Sequence, residues 1–336
     1  MFNTIFKGLK IIANWIFQTW RSLALFIGSW ILIILIVIIF SAVSFSGKID
    51  DSAQLGLSKK VINSGSEQEI ALIRLSGEIT SSSSENIWEF NPYSITPSNI
   101  RGLTSKLSEL EKIKAVIFVI NSPGGSVAAS EEIYQQIKML AEIKPVYAYF
   151  EETAASGGYY IALPAKKIFA SIPTITGSIG VIAYDLDISE LMEKTGVKLD
   201  THQSGLLKDF GSYTRSSTQQ EIEIFNSIID DSYQLFITRI EENRDLDRDE
   251  ILELADGRIY SARQAKENGL IDELGTVHEA IKYVSDDIKI SQPTVVEYSL
   301  NSGFLPGLLG AGVKNLIPSS AFPAQLLNQK AGVYFL

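Results

Sequence analysis

The sequence contains no cysteine. Disulfides, thiolate nucleophiles and cysteine metal sites are therefore excluded. Histidine is almost as scarce, with His202 and His278 the only two in 336 residues. A three-histidine zinc site cannot be built from two, and any serine–histidine chemistry would have to use one of them. Basic residues are also the minority, 29 Lys and Arg against 39 Asp and Glu, for a net charge of −10. They form no cluster of the kind that phosphate contacts require, so nucleic acid is not expected as a partner. There is no internal repeat, and the chain reads as one unit rather than a duplicated one.

What is abundant is apolar sequence, at 46% of residues, and much of the excess is gathered near the amino terminus. Residues 23–45 carry no charge and are rich in Ile, Leu, Val and Phe. A helix needs roughly 20 such residues to cross a bilayer, whereas the apolar core of a cleaved signal peptide runs to about 7–15. Segment 23–46 is thus expected to be an uncleaved transmembrane signal anchor, although Ala42 and Ser44 could form a small-residue cleavage site. Ahead of it, residues 1–22 interleave Phe, Ile and Trp with Lys7, Lys10 and Arg21, the pattern of an interfacial or cytoplasmic segment. Lys48, Lys59 and Lys60 lie beyond the span, so the positive-inside balance is close to even. The short leading segment favours the amino terminus inside and the large domain outside the cytoplasm.

Residues 47–68 are polar and read as a linker, 69–300 as the folded domain, and 301–336 as an apolar tail with several Gly and Pro. Within the domain, residues 70–75, 115–120, 146–150, 168–170 and 179–183 read as strands. Helices are expected at 130–140, 188–193 and 218–242, and from a cap at Thr276 to about Val284. Ile222, Phe225, Ile229, Phe236 and Ile240 give the long helix an apolar face, read as core packing. Strands alternating with helices predict an α/β domain with crossover connections.

Three segments offer chemistry. Asn121-Ser122-Pro123-Gly124-Gly125-Ser126 follows a buried strand, and its glycines and the helix start beyond them could hold an anion, or simply make a turn. In Ala154-Ala155-Ser156-Gly157-Gly158-Tyr159-Tyr160, Ser156 could be a nucleophile with the Gly157 N–H aimed at an oxyanion, or an N-capping serine. Ser204-Gly205-Leu206-Leu207-Lys208-Asp209-Phe210-Gly211-Ser212 contains a lysine that is a solvated charge unless burial makes it a base. No Gly-Lys-Ser/Thr follows the glycines, which excludes a P-loop.

Taken together and in this order, the three segments resemble the signal peptide peptidase A family of serine–lysine proteases. So do Asp256-Gly257-Arg258-Ile259-Tyr260, Gln264-Ala265, Gly269-Leu270-Ile271-Asp272 and Leu274-Gly275. The similarity runs from about residue 70 to 284, and the length matches the short, single-domain form. The resemblance implies a crotonase-like (ClpP-like) α/β domain behind one N-terminal transmembrane helix. It assigns Ser156 as nucleophile, Lys208 as general base and Ser178 as a serine that orients the lysine. Gly157 with Gly124 or Gly125 would form the oxyanion hole. It further implies a membrane-bound homo-oligomeric ring that degrades residual signal peptides at the bacterial cytoplasmic membrane, with no metal or organic cofactor.

A site held at a membrane meets apolar peptides, which suit an apolar groove. The short apolar end, 333–336, is itself expected to be able to enter that groove, in its own or a neighbouring protomer. Two rivals share the fold, a catalytically idle crotonase-like membrane scaffold and an acyl-CoA enzyme, because fold alone does not fix function. The Ser–Lys pair argues against the first, and the span together with that pair against the second.

Overall fold

The computed structural model describes residues 57–81, 94–300 and 334–335, with Trp20, Gly28, Trp30 and residues 32–34. The chain divides into two compact units, Met1–Gln54 and Leu55–Leu336. In the first unit the described residues are helical and exposed. Most of the anchor expected at 23–46 lies outside the described residues, as does most of the tail at 301–336. Among the described residues no helix is long and apolar enough to cross a membrane.

The second unit is organised around a nine-stranded sheet. Its main path runs β1 (Leu57–Asn63), β10 (Thr294–Leu300), β2 (Glu69–Ser76), β3 (Ile113–Ser122), β5 (Val146–Ala155), β6 (Ile168–Ala170) and β9 (Glu273–Leu274). All these neighbours are parallel except β1 with β10. A branch adds β7 (Ile175–Gly177), parallel to β5, and β8 (Ile259–Ser261), antiparallel to β7.

The central strands are apolar almost throughout because helices cover both faces, as a parallel sheet requires. Side-chain alternation divides them. Ala71, Ile73, Val116, Phe118, Ala148 and Phe150 face one core, while Ile70, Leu72, Ile117, Val119, Tyr147 and Tyr149 face the other. The larger core also takes residues from α1 (Pro97–Glu109), α2 (Val127–Ile143), α3 (Gly157–Tyr160) and the end of α5 (Gln219–Asn243). It is closed by residues of α6 (Arg248–Leu254) and α7 (Ala262–Glu267). Ala280 and Val284 of α8 (Val277–Asp287) cover the smaller one. Helix starts are chemically marked: α5, α6, α7 and α8 each open with a reciprocal capping box, at Thr218/Glu221, Asp247/Glu250, Ser261/Gln264 and Thr276/Glu279.

Several expectations need correction. Part of the segment read as linker at 47–68 is strand β1, held on β10 and by the ion pair of Lys59 with Glu69 at 2.9 Å. No strand spans 179–183. The strand lies earlier, at β7, where it borrows partners from both β5 and β8. Helix α5 packs on the core only through its second half, where Phe236, Ile237 and Ile240 are buried. Ile222 stays 42% exposed, so its apolar face is not core there. The segment from 181 to 217, including α4 (Ser189–Thr195), is an arm with little burial of its own.

Candidate active site

Strand β5 is central, and its carboxyl end is where a parallel sheet presents ligands. It delivers Ala155, pairs it with Gly177 of β7, and turns at Ser156 directly into α3. The Ser156 N–H donates to the Gly177 carbonyl at 2.7 Å, and the Ser156 carbonyl accepts from Tyr160 N–H at 2.9 Å. Between these anchors Ser156 is forced to φ 51° and ψ −118°. A non-glycine residue there stores about 1–3 kcal/mol of strain. Such a strained strand-to-helix turn is how a serine nucleophile is presented.

The capping alternative for Ser156 fails, because its side chain makes no bond to the helix it precedes. Its Oγ is buried and, among the described residues, has no hydrogen-bond partner.

The glycine turn lies against this serine. A side chain on Gly157 would sit 3.2 Å from Gly124 Cα and 3.3 Å from Gly125 N, and 2.6 Å from Ser130 Oγ. Gly125 has φ +149°, and a Cβ there would approach the Ile79 carbonyl oxygen to 2.1 Å, so only glycine fits. The Gly124 N–H already donates to Ser122 Oγ at 3.2 Å. Gly125 is therefore the better placed of the two to serve an oxyanion with Gly157. Gly125 and Ser126 form strand β4, which pairs antiparallel with β11 (Tyr334–Phe335), Phe335 opposite Gly125 and Tyr334 opposite Ser126. The chain's own carboxyl-terminal strand thus runs alongside the glycine turn next to Ser156.

Ser178 follows Gly177 as Ser156 follows Ala155, and it too has φ 51°. Its N–H donates to the Arg258 carbonyl at 2.8 Å, and the Tyr260 ring packs over Gly177. The Asp256–Tyr260 segment thus braces the Ser178 turn. The structure brings Ser156, Ser178, Gly125 and Gly157 together.

Lys208 is not among them. It lies exposed on the arm, and Ser156 Oγ lacks any described partner. His202 and His278 are exposed as well. Among the described residues one lysine is buried, Lys144. Lys144 donates from Nζ to the carbonyls of Leu110 and Ile113 at 2.6 and 3.0 Å, and burial lowers its pKa. It stands before the first residue of β5, while Ser156 follows the last. Ten strand residues put about 30 Å between the two ends, which removes Lys144 as a base for Ser156.

Around Lys208 the sequence reading missed a clamp. Arg215 makes paired bonds to Asp209, both at 2.9 Å, and to Glu221 at 2.9 and 2.7 Å. Arg215 holds the Glu221 carboxyl at about 2 and the Asp209 carboxyl below its ordinary range. Phe210 stacks on Phe225 of α5 with centroids 4.4 Å apart. Both residues after Lys208 are therefore fastened to the start of α5. The Thr-x-x-Glu capping box at Thr218 was the one local signal of this arrangement.

Residues 138–291 match the profile of Peptidase family S49, and residues 96–174 match that of Clp protease. A protein of Enterococcus faecium named for signal peptide peptidase SppA is 36% identical over 247 residues, covering 73% of this chain and 71% of that one. A protein of Methanocaldococcus jannaschii named as a protease is 38% identical over 229 residues, covering 66% and 74%. A solved ClpP1 variant from Listeria monocytogenes aligns over 61% of this chain and 90% of its own, with 21% identity and a TM-score of 0.39. The fold is the ClpP-like, crotonase-type α/β fold that the sequence led us to expect. The chain belongs to Peptidase family S49, the signal peptide peptidase A family, and is a serine protease.

Proposed function

We propose that this protein is a membrane-anchored endopeptidase that cleaves apolar peptides, residual signal peptides among them. Ser156 is the nucleophile and Lys208 of a neighbouring copy is the general base. The observation that carries this reading is the Ser156 turn: a strained serine at the end of the central strand, its hydroxyl without a described partner, beside Gly125 and Gly157.

The lysine is assigned to a neighbouring copy because Lys208 is exposed on an arm rich in unburied apolar side chains. Tyr184, Leu186, Leu191, Val197, Leu199 and Leu206 are each at least 56% exposed. Such a patch marks a contact surface. Covering it with a second copy would take Lys208 out of water, the setting in which an amine can act as a base. Repetition of this contact around an axis gives a ring. Anchoring rests on the uncharged run at 23–45, which would hold the ring at the membrane with its catalytic domains outside the cytoplasm.

The substrate would lie as an added strand along β4, the position that β11 takes. Lys208 Nζ accepts the Ser156 hydroxyl proton as Oγ attacks the peptide carbonyl carbon. The oxyanion is received by the N–H groups of Gly157 and Gly125. When the carbon–nitrogen bond breaks, the lysine returns the proton to the leaving amine. Water, deprotonated by the same lysine, then releases the acyl group and restores Ser156. Ser178, which like Ser156 directly follows the Ala155–Gly177 pair, would orient the incoming lysine. No step calls for a metal or an organic cofactor.

The test is cleavage of an apolar fluorogenic peptide by the full chain, with Ser156→Ala and Lys208→Ala. Both variants are expected to fall to background while remaining folded. Near-normal activity in Lys208→Ala would overturn the base assignment and make His202 the next candidate. A folded, assembled wild type that cleaves no peptide of an apolar panel would favour the idle scaffold.

A further inference from the structure

We propose that the Ser130 hydroxyl is a third hydrogen-bond donor of the oxyanion site, engaged only when a substrate carbonyl enters between Gly125 and Gly157. The inference rests on the Ser156 reading above and adds a group that the reading does not use.

Ser130 is the fourth residue of α2, the helix that starts directly after the glycine turn, and it is completely buried. Its Oγ has no hydrogen-bond partner, a condition that among the buried side-chain polar atoms of the described residues it shares only with Ser156 Oγ. Serine and threonine within helices ordinarily satisfy their hydroxyls on the carbonyl four residues back. This chain follows that habit elsewhere. Thr104 donates to the Ile100 carbonyl at 2.9 Å, Thr195 to Leu191 at 2.9 Å, Ser232 to Ile228 at 2.9 Å and Thr238 to Gln234 at 2.8 Å. Ser130 does not turn back.

Its hydroxyl instead lies over Gly157. A Cβ at residue 157 would come within 2.6 Å of Ser130 Oγ, at a point 3.3 Å from Gly125 N. Glycine at 157 is what leaves room for this hydroxyl beside the two candidate oxyanion amides. A buried donor with no acceptor destabilises the resting protein relative to an alanine of nearly the same shape. The acceptor that would satisfy it is the carbonyl oxygen that gains charge as Ser156 attacks. A bond made there and absent before it accelerates the chemical step rather than tightening substrate binding.

The experiment compares Ser130→Ala and Ser130→Cys with wild type in the full-length assembled protein, using an apolar fluorogenic peptide. The expected result for Ser130→Ala is a fall in kcat of roughly 10- to 100-fold, with KM changed by less than about twofold. Tm and assembly size should be unchanged, or Tm raised. Ser130→Cys, a weak donor of similar size, should fall between. A peptide boronate, which forms a tetrahedral adduct on the nucleophile, should lose affinity by a factor similar to the fall in kcat. A kcat within about twofold of wild type would overturn the proposal. So would a fall accompanied by a lower Tm or loss of assembly in both variants, which would make Ser130 a packing residue. Ser156→Ala measured in parallel separates the two readings: if it also keeps the rate, the nucleophile assignment has failed and not Ser130 alone.

Discussion

At the scale of single residues, the proposed base Lys208 needs something to hold its segment in place, and Arg215 is the residue placed to do so. It bridges Asp209, the neighbour of Lys208, to the buried Glu221 that caps α5. Replacing Arg215 by alanine leaves both carboxylates without their cation and frees the 204–217 segment. Activity is expected to drop on the order of tenfold to a hundredfold, the effect of misplacing a catalytic group by about an ångström. Hydrogen exchange should rise in 204–217 and stay unchanged in β3 and β5. The clamp should also respond to acid. Glu221 is depressed from 4.5 to about 2, chiefly by Arg215 and then by the Thr218 N–H. A depressed carboxylate contributes stability that is fully present above its unfolded pKa and is lost as pH falls through the folded one. Protection of 204–217 should therefore hold above about pH 4.5 and fail towards pH 2. An arm equally protected at pH 5 and at pH 2 would show that the clamp is not what orders it.

At the scale of elements, β11 on β4 carries a prediction about regulation. A strand that pairs with Gly125 and Ser126 occupies the edge a substrate strand needs. Deleting residues 333–336 is expected to raise the rate on a short apolar peptide by about twofold or more. A synthetic peptide of the deleted sequence, Val333 to Leu336, should inhibit the truncated enzyme. An unchanged rate and unchanged assembly would mean that the tail does not compete for the groove. The apolar, β-branched run at 115–120 made β3 visible in the sequence, because its composition alone demands burial on both faces. Ser156 and its glycines were visible as a motif, but not the φ of 51° that separates a nucleophile from a cap. That angle comes from the pairing of Ala155 with Gly177, a contact between strands. The three residues of β7 were missed for the same reason, since they are strand only through β5 and β8. Helix α5 was correctly placed by the period of its apolar residues. Its uneven burial was not legible, because periodicity records which side of a helix is apolar and not what meets it.

At the scale of the whole molecule, the two halves of the proposed dyad lie on surfaces of opposite character. Ser156 is sealed against the core, whereas Lys208 stands on an arm whose apolar side chains face outward. If each site takes its serine from one copy and its lysine from the next, the two single variants must complement each other. Ser156→Ala and Lys208→Ala proteins, each inactive alone, should regain activity when they are dissociated, mixed in equal amounts and reassembled. In a ring of randomly mixed copies an intact site requires a lysine-deficient chain to lend its serine to a serine-deficient neighbour. That arrangement occurs at about one quarter of contacts, so roughly a quarter of the wild-type rate is expected. A dyad built within one chain predicts no recovery at any ratio, because neither variant contains a complete pair. Dilution adds a second constraint. Activity per chain should fall as the protein is diluted and the ring dissociates, since a separated copy would keep Ser156 in place but lose the neighbour's Lys208.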